Sequence, residues 1–222
     1  EVPEDIILKR NSEIYFSYNF KYSISKGKFN IYENNEPILS FEDLKGSSFS
    51  LSAGYVVYIS DKISYELGIT YDKYYLNALT NYYIPIINNE FAATEHKVEI
   101  NLIYYDIHLL LKYEFINNIN FIAGFSSGFL NKSTYNHTIK LNSDELIYEG
   151  NLKEKKFSDR TLSDVNNDYC ILFGLSYKIP FIFSNFGLEV NPNYTIRLNK
   201  VINNTDLNFT SLLIKLKIIY LF

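Results

Sequence analysis

The chain has 222 residues, with 21 Lys and Arg against 25 Asp and Glu, and its formal net charge of −4 excludes the bulk basic character of a nucleic-acid binder. Aromatic residues make up 17% of the chain, carried by 21 Tyr and 17 Phe with no Trp, and the single cysteine, Cys170, excludes an internal disulfide and a cysteine-rich metal site. No stretch approaches the ~18 uninterrupted apolar residues of a membrane helix, so the membrane-spanning form open to this chain is a closed β-barrel, which pairs every backbone group in lipid.

The chain opens Glu1-Val2-Pro3 without a starting Met, which reads as a mature chain after cleavage of an export leader. Residues 1–12 read as a short periplasmic tail and residues 13–222 as one barrel domain. Period-two alternation then recurs in eight segments. Ile14, Phe16, Tyr18, Phe20 and Tyr22 alternate with Tyr15, Ser17, Asn19 and Lys21. Phe49, Leu51, Ala53, Tyr55, Val57 and Ile59 alternate with Ser48, Ser50, Ser52 and Gly54. Ile63, Tyr65, Leu67, Ile69 and Tyr71 face away from Ser64, Glu66, Gly68, Thr70 and Asp72. Ile103, Tyr105, Ile107, Leu109, Leu111 and Tyr113 face away from Asp106, His108, Lys112 and Glu114. Upstream, Val98, Ile100 and Leu102 fall on the opposite parity, which predicts a β-bulge near residues 102–104.

The fifth segment sets Phe121, Ala123 and Phe125 against Asn120, Gly124 and Ser126, and the sixth sets Tyr169, Ile171, Phe173, Leu175 and Tyr177 against Cys170, Gly174, Ser176 and Lys178. The seventh runs Phe186, Leu188, Val190, Tyr194, Ile196 and Leu198 against Glu189, Asn191, Thr195 and Arg197; Pro192 cannot donate to a ladder and predicts a local irregularity. The eighth is the closing "LLIKLKIIYLF", with Lys215 and Lys217 on its polar side.

Connections after the second, fourth and sixth segments are short, and those after the first, third and fifth span about 25, 25 and 35 residues. Short turns on one rim and long loops on the other are the layout of an outer-membrane barrel, and an even strand count puts both termini on the periplasmic side. The expectation is an all-β fold, an eight-stranded antiparallel transmembrane barrel with short periplasmic turns and long extracellular loops, several of them hairpins. The polar faces are mostly Ser, Gly and Asn, which suits the cramped interior of eight strands better than a water-facing wall. Tyr65, Tyr113, Tyr177 and Tyr220 fall near the short-turn rim and Tyr71, Tyr169 and Tyr194 toward the other, as two aromatic girdles do.

The stretch "YYDIHLLLKYEFINNINFIAGFSSGFLN" resembles the small outer-membrane β-barrel family that includes PorT-like proteins, a variant of the OmpA/OmpX-like eight-stranded plan. The matching residues are Tyr105, Ile107, Leu109, Leu110, Leu111, Lys112, Tyr113 and Gly124, with His108 where the family has Pro; "ILFGLSYKI" and the chain's ending fit as well. The resemblance implies a fold and an outer-membrane location. It implies no shared activity, although PorT-like members are linked to protein secretion. The ending, Tyr220 to Phe222, resembles the family's assembly signal, which implies the barrel-insertion machinery as a partner during biogenesis.

The inward charges include Glu66, Asp106, Lys112, Glu114, Glu189, Lys215 and Lys217, joined by His108. Buried charges in a narrow barrel should pair, so these residues are read as a salt-bridged plug, with Glu189 beside Lys215 or Lys217, and not as a conduction path. Asp106 and His108 point inward with no serine beside them, and His96 and His137 are too scattered for a metal site. The reading is therefore non-enzymatic, with no catalytic residue, metal or cofactor. A small-solute channel and a lipid-modifying enzyme are the alternatives. The apolar, aromatic stretch around Tyr82, Tyr83, Ile84 and Ile86 is the candidate partner loop. Expected partners are membrane lipid and a protein met through the extracellular loops or the lipid-facing wall, with no nucleic acid.

Overall fold

Eight stretches in which every second residue is apolar become eight strands, because only a pleated ribbon places such residues on one side. The structure, a computed structural model, describes residues 12–33, 36–85, 91–141, 153–183, 185–203 and 207–221. Its strands are β1 (Ser12–Lys26), β2 (Phe29–Glu33), β3 (Glu36–Phe41), β4 (Lys45–Tyr58), β5 (Ile63–Pro85), β6 (Phe91–Ile116), β7 (Ile119–Leu141), β8 (Glu154–Thr161), β9 (Asp168–Phe183), β10 (Phe186–Arg197) and β11 (Asn208–Leu221). The antiparallel ladder runs β6-β5-β4-β1-β11-β10-β9-β7, and pairing of β6 with β7 closes it into a ring of eight. β8 adds to the far part of β7, and β2 with β3 makes a separate hairpin. Each of the eight alternating segments is a stave of this barrel.

The wall faces outward with its apolar side. Phe16, Leu67, Ile69, Leu109, Phe125, Leu175 and Ile218 are all exposed, Ile69 at 64%. Their alternates Ser17, Glu66, His108, Ser126, Ser176 and Lys217 are buried. That inversion of a soluble protein's pattern identifies hydrocarbon as the surrounding solvent. Both sets of tyrosines lie on the outer face, Tyr65, Tyr113, Tyr177 and Tyr220 toward the short turns and Tyr71, Tyr169 and Tyr194 toward the far rim. Across the β9–β10 ladder, pairs are interrupted around Asn191 and Pro192 while the register on either side is kept, as a missing donor requires.

The predicted bulge in β6 has a different cause. The β6–β7 register does shift between Ile103 and Tyr104, but the extra residue is Asn131 of β7. Even-numbered residues of β6 stay inside from Val98 through Lys112 without a break. What changes is the medium outside. Above Tyr71 in β5 and Tyr105 in β6 the strands leave the membrane, and apolar residues move to the inward side: Tyr74, Leu76 and Ala78 of β5, and Val98, Ile100, Leu102 and Tyr104 of β6. They pack with Phe29, Phe41, Leu44, Val201, Leu207 and Phe209 into a dry core like that of a soluble protein. The expected long loop after the third segment is mostly ladder, paired from Ile63↔Tyr113 up to Pro85↔Phe91. At ~3.3 Å per residue and ~40° tilt, the stretch of β5 from Tyr71 to Pro85 rises about 35 Å above the rim. The β2–β3 and β7–β8 hairpins stand beside it.

The change of medium is directly measurable. A Trp placed at Ile69 is expected to be quenched by brominated acyl chains in reconstituted bilayers, whereas one at Leu79, on the same outward parity, is not. Leu102→Ala, in the extracellular core, is expected to cost about 2–5 kcal/mol of stability in a denaturant titration.

Candidate functional site

The lumen is built in layers. Near the short-turn rim, Lys178 of β9 donates to Glu13 of β1, and to the hydroxyl of Tyr58 at 3.2 Å. One step in, Glu66 of β5, Lys112 of β6, Glu189 of β10 and Lys217 of β11 form a crossed square of charges. Lys112 Nζ lies 2.8 Å from Glu66 Oε2 and 2.8 Å from Glu189 Oε1; Lys217 donates to Glu66 and sits 3.5 Å from Glu189. The square spans the barrel, so it ties opposite walls together. His108 joins it, with Nε2 3.4 Å from Glu66 Oε1 and 2.8 Å from the Tyr15 hydroxyl.

Tyr15 crosses the lumen over two glycines. A Cβ on Gly68 would meet the Tyr15 hydroxyl at 2.2 Å and His108 at 2.7 Å, and one on Gly54 would meet the Tyr15 ring at 2.7 Å. Bare backbone at these two points is what lets a Tyr and a His meet inside eight strands.

Higher up, Arg197 of β10 grips Asp168 of β9 through two hydrogen bonds of 2.5 Å, and Asp168 also accepts from the Tyr74 hydroxyl at 3.1 Å. The guanidinium lies against the rings of Tyr74, Tyr104 and Phe209 at 4.9, 5.4 and 5.2 Å. Lys21 donates to Asp72 and sits 3.9 Å over the Tyr74 ring. This layer is the lid between the polar lumen and the apolar core above it. Between lid and square is a cavity of about 30 Å³, lined by Asn19, Asp72, Asp106, His108 and Lys215 among others, which has room for about one water molecule. Among the described residues, buried cations (Lys21, Lys112, Lys178, Arg197, Lys215, Lys217) and buried carboxylates (Glu13, Glu66, Asp72, Asp106, Asp168, Glu189) are equal in number.

The structure thus brings Glu66, His108, Lys112, Glu189 and Lys217 into one network. Lys217 is the cross-strand neighbour of Glu189, whereas Lys215 stands opposite Asn191. Asp106 and Lys215 line the cavity outside the square. Glu114 does not belong to the interior set: it is half-buried at the rim and accepts the Asn118 N–H at 2.8 Å, holding the β6–β7 turn, where Asn118 has φ 65°. Sequence reasoning missed Glu13 and Asp168. Both lie on the inward parity of their strands, one residue outside the alternating runs, and that parity is the signal that finds them.

The extracellular histidines form a second cluster. The Thr94 hydroxyl donates to the Tyr82 carbonyl at 3.0 Å, so His96 Nε2, 2.9 Å away, donates to Thr94, and His96 Nδ1 accepts from His137 Nε2 at 3.0 Å. His137 is stacked between His96 and Phe157 and meets the edge of Phe41. Burial lowers the pKa of both; that of His137, further lowered by His96 and Arg160, falls to about 4. Among the described residues no group of three His, Cys, Asp or Glu could hold a metal ion. Of the candidate partner loop, Tyr82 is an exposed residue of β5 and Tyr83 and Ile84 continue that strand, while Ile86 lies outside the described residues. Tyr220 faces outward on β11, its ring centroid 5.1 Å from that of Phe186, and Phe222 lies outside the described residues.

Two measurements probe these clusters. Glu189→Ala, which leaves cations unpaired in the lumen, should cost about 3–5 kcal/mol; the double change Lys112→Met with Glu189→Leu, which leaves the Glu66–Lys217 pair balanced, should cost less than either single change. Burial holds the pKa of His96 and His137 below the value near 6.5 that each has when unfolded, so the unfolded state binds more protons in acid. Stability should fall as pH drops from about 6.5 toward 4, and His137→Phe should flatten that slope.

The chain matches no known family model and no curated protein sequence. Solved structures similar to it include Neisserial surface protein A (13% identity, TM-score 0.40, 94% of this chain and 97% of that one). Ail, the attachment invasion locus protein of Yersinia pestis, is 11% identical with a TM-score of 0.38, covering 96% of this chain and 99% of that one. The outer membrane protein AlkL is 9% identical with a TM-score of 0.46, covering 100% and 95%. The outer-membrane β-barrel architecture of this chain rests on its own closed ladder and apolar wall, and nothing about activity is carried over from these neighbours.

Proposed function

We propose that the protein is a non-enzymatic outer-membrane barrel, a structural or partner-binding component of the envelope that works as a rigid base for its extracellular superstructure, within a larger membrane or secretion complex. The observation that carries this reading is the filled lumen: opposite walls are cross-linked by Glu66, Lys112, Glu189 and Lys217, and the polar interior is lidded by Arg197 and Asp168 under a dry apolar core. Such an interior favours rigidity over transport, and a cavity of about 30 Å³ is no path for a solute. The three histidines are engaged in these structural networks, His108 in the lumen and His96 with His137 above it. The tall β5–β6 hairpin, with exposed Tyr82 near its tip, is the surface best placed to meet a protein partner.

In planar bilayers the purified protein is expected to give no stable single-channel conductance; a large, steady conductance would replace this reading with a channel. Tyr82→Ser with Tyr83→Ser is expected to abolish co-purification of a partner from native membrane, and unchanged association would remove the hairpin from the interface.

A further inference from the structure

Ten of the twelve ions buried among the described residues pair directly. Lys21 takes Asp72, Lys178 takes Glu13, Arg197 takes Asp168, and Lys112 and Lys217 share Glu66 and Glu189. The two left over are one of each sign, Lys215 of β11 and Asp106 of β6. The register explains why. The strand neighbours of Lys215 are Asn191 and Asn19, and those of Asp106 are Thr70 and Gly128, none of them charged. Both side chains are buried, Lys215 at 2% and Asp106 at 8% exposure, and Asp106 Oδ1 has no hydrogen-bond partner among the described residues. An ion left so in a low-dielectric interior is expensive.

Both line the same cavity of about 30 Å³, together with Asn19 and Asp72. Those two residues also present oxygens without a partner among the described residues, Asn19 Oδ1 and Asp72 Oδ1. The amide of Asn19 donates to Ser50 and Ser52, and the other oxygen of Asp72 is taken by Lys21, so the remaining oxygen of each is the end left over. Three oxygens that only accept thus face the cavity with an ammonium that only donates. Whatever joins them must accept on one side and donate on the other. A metal cation does neither, would lie beside Lys21 and Lys215, and finds no group of three His, Cys, Asp or Glu to hold it among the described residues. An anion would face Asp72 and Asp106. A proton shared by those two carboxylates would leave the balanced lumen with one cation in excess.

We propose that this cavity is a hydration site, in which one trapped water accepts from Lys215 Nζ and donates to Asp106 Oδ1 and to Asp72 or Asn19. The water completes the sixth ion pair by bridging ions that the ladder holds apart. The lid of Arg197 and Asp168 closes the site above and the charged square closes it below, so the water leaves only when one of them opens.

The test is a crystal structure of the full chain at a resolution that shows ordered water. One density peak is expected ~2.7–3.2 Å from both Lys215 Nζ and Asp106 Oδ1. A cavity without density, a direct Lys215–Asp106 contact, an ion in place of water, or a proton between Asp72 and Asp106 in neutron diffraction would each overturn the proposal. In micelles, water ¹⁷O relaxation dispersion is expected to count one long-lived water fewer in the double variant Lys215→Met with Asp106→Leu, which keeps the charge balance and fills the space. An unchanged count overturns the site. The two single changes are each expected to lower the denaturation midpoint further than the double change does; strictly additive effects would show that the two ions are uncoupled and would overturn the bridge.

Discussion

A closed antiparallel ladder fixes which side of each strand faces out from one end of the strand to the other. Once β6 pairs with β7, no stave can rotate, and a slip of one residue would turn its whole apolar row to the wrong side. In lipid the ladder cannot open either, since unpaired N–H and C=O groups have no water to satisfy them. Everything else in the molecule adapts to that fixed alternation. The inner side of the membrane-level staves must be polar enough to leave the outer side greasy, yet small enough to fit. Where charges enter, they must be balanced within reach of their neighbours.

The lumen meets that requirement with pairs drawn from distant points in the chain. Glu66 and Lys217 are 151 residues apart in sequence, and Glu13 and Lys178 are 165 apart. Desolvating these ions is expensive, and only mutual pairing offsets the cost. The benefit is better described as shape than as net stability: ties across the lumen prevent the barrel cross-section from flattening. The glycines at 54 and 68 serve the same end, since they admit the Tyr15–His108 contact that locks β1 to β6.

The staves were legible in the sequence because their periodicity is local. Five or six alternating residues, such as Tyr169 to Tyr177, identify a strand without reference to its neighbours. The aromatic girdles were legible for the same reason. The inner pairings were legible only as an inventory of charges, because parity places Lys112 and Glu189 in the lumen but says nothing about their height. Parity alone places Glu114 in the network for that reason, although the turn that follows β6 claims its carboxylate through the N–H of Asn118, four residues on. The parity change between Leu102 and Tyr105 was visible but reads equally as an inserted residue or as a change of surroundings. Only the uninterrupted pleat of β6 decides between them, and the deciding fact is the pairing of β6 with β5 and β7, which is not local.

The same parity change also settles how deeply the molecule sits. Just beyond the tyrosines of the upper girdle, the outward positions carry Lys73 and Lys132, level with Ile103. Sinking by a few ångströms would drag these ammonium groups into acyl chains, and rising would strand Tyr71 and Tyr105 in water. The barrel therefore has one favoured vertical position, and its extracellular hairpins stand at a fixed height above the headgroups, like a mast stepped into a keel.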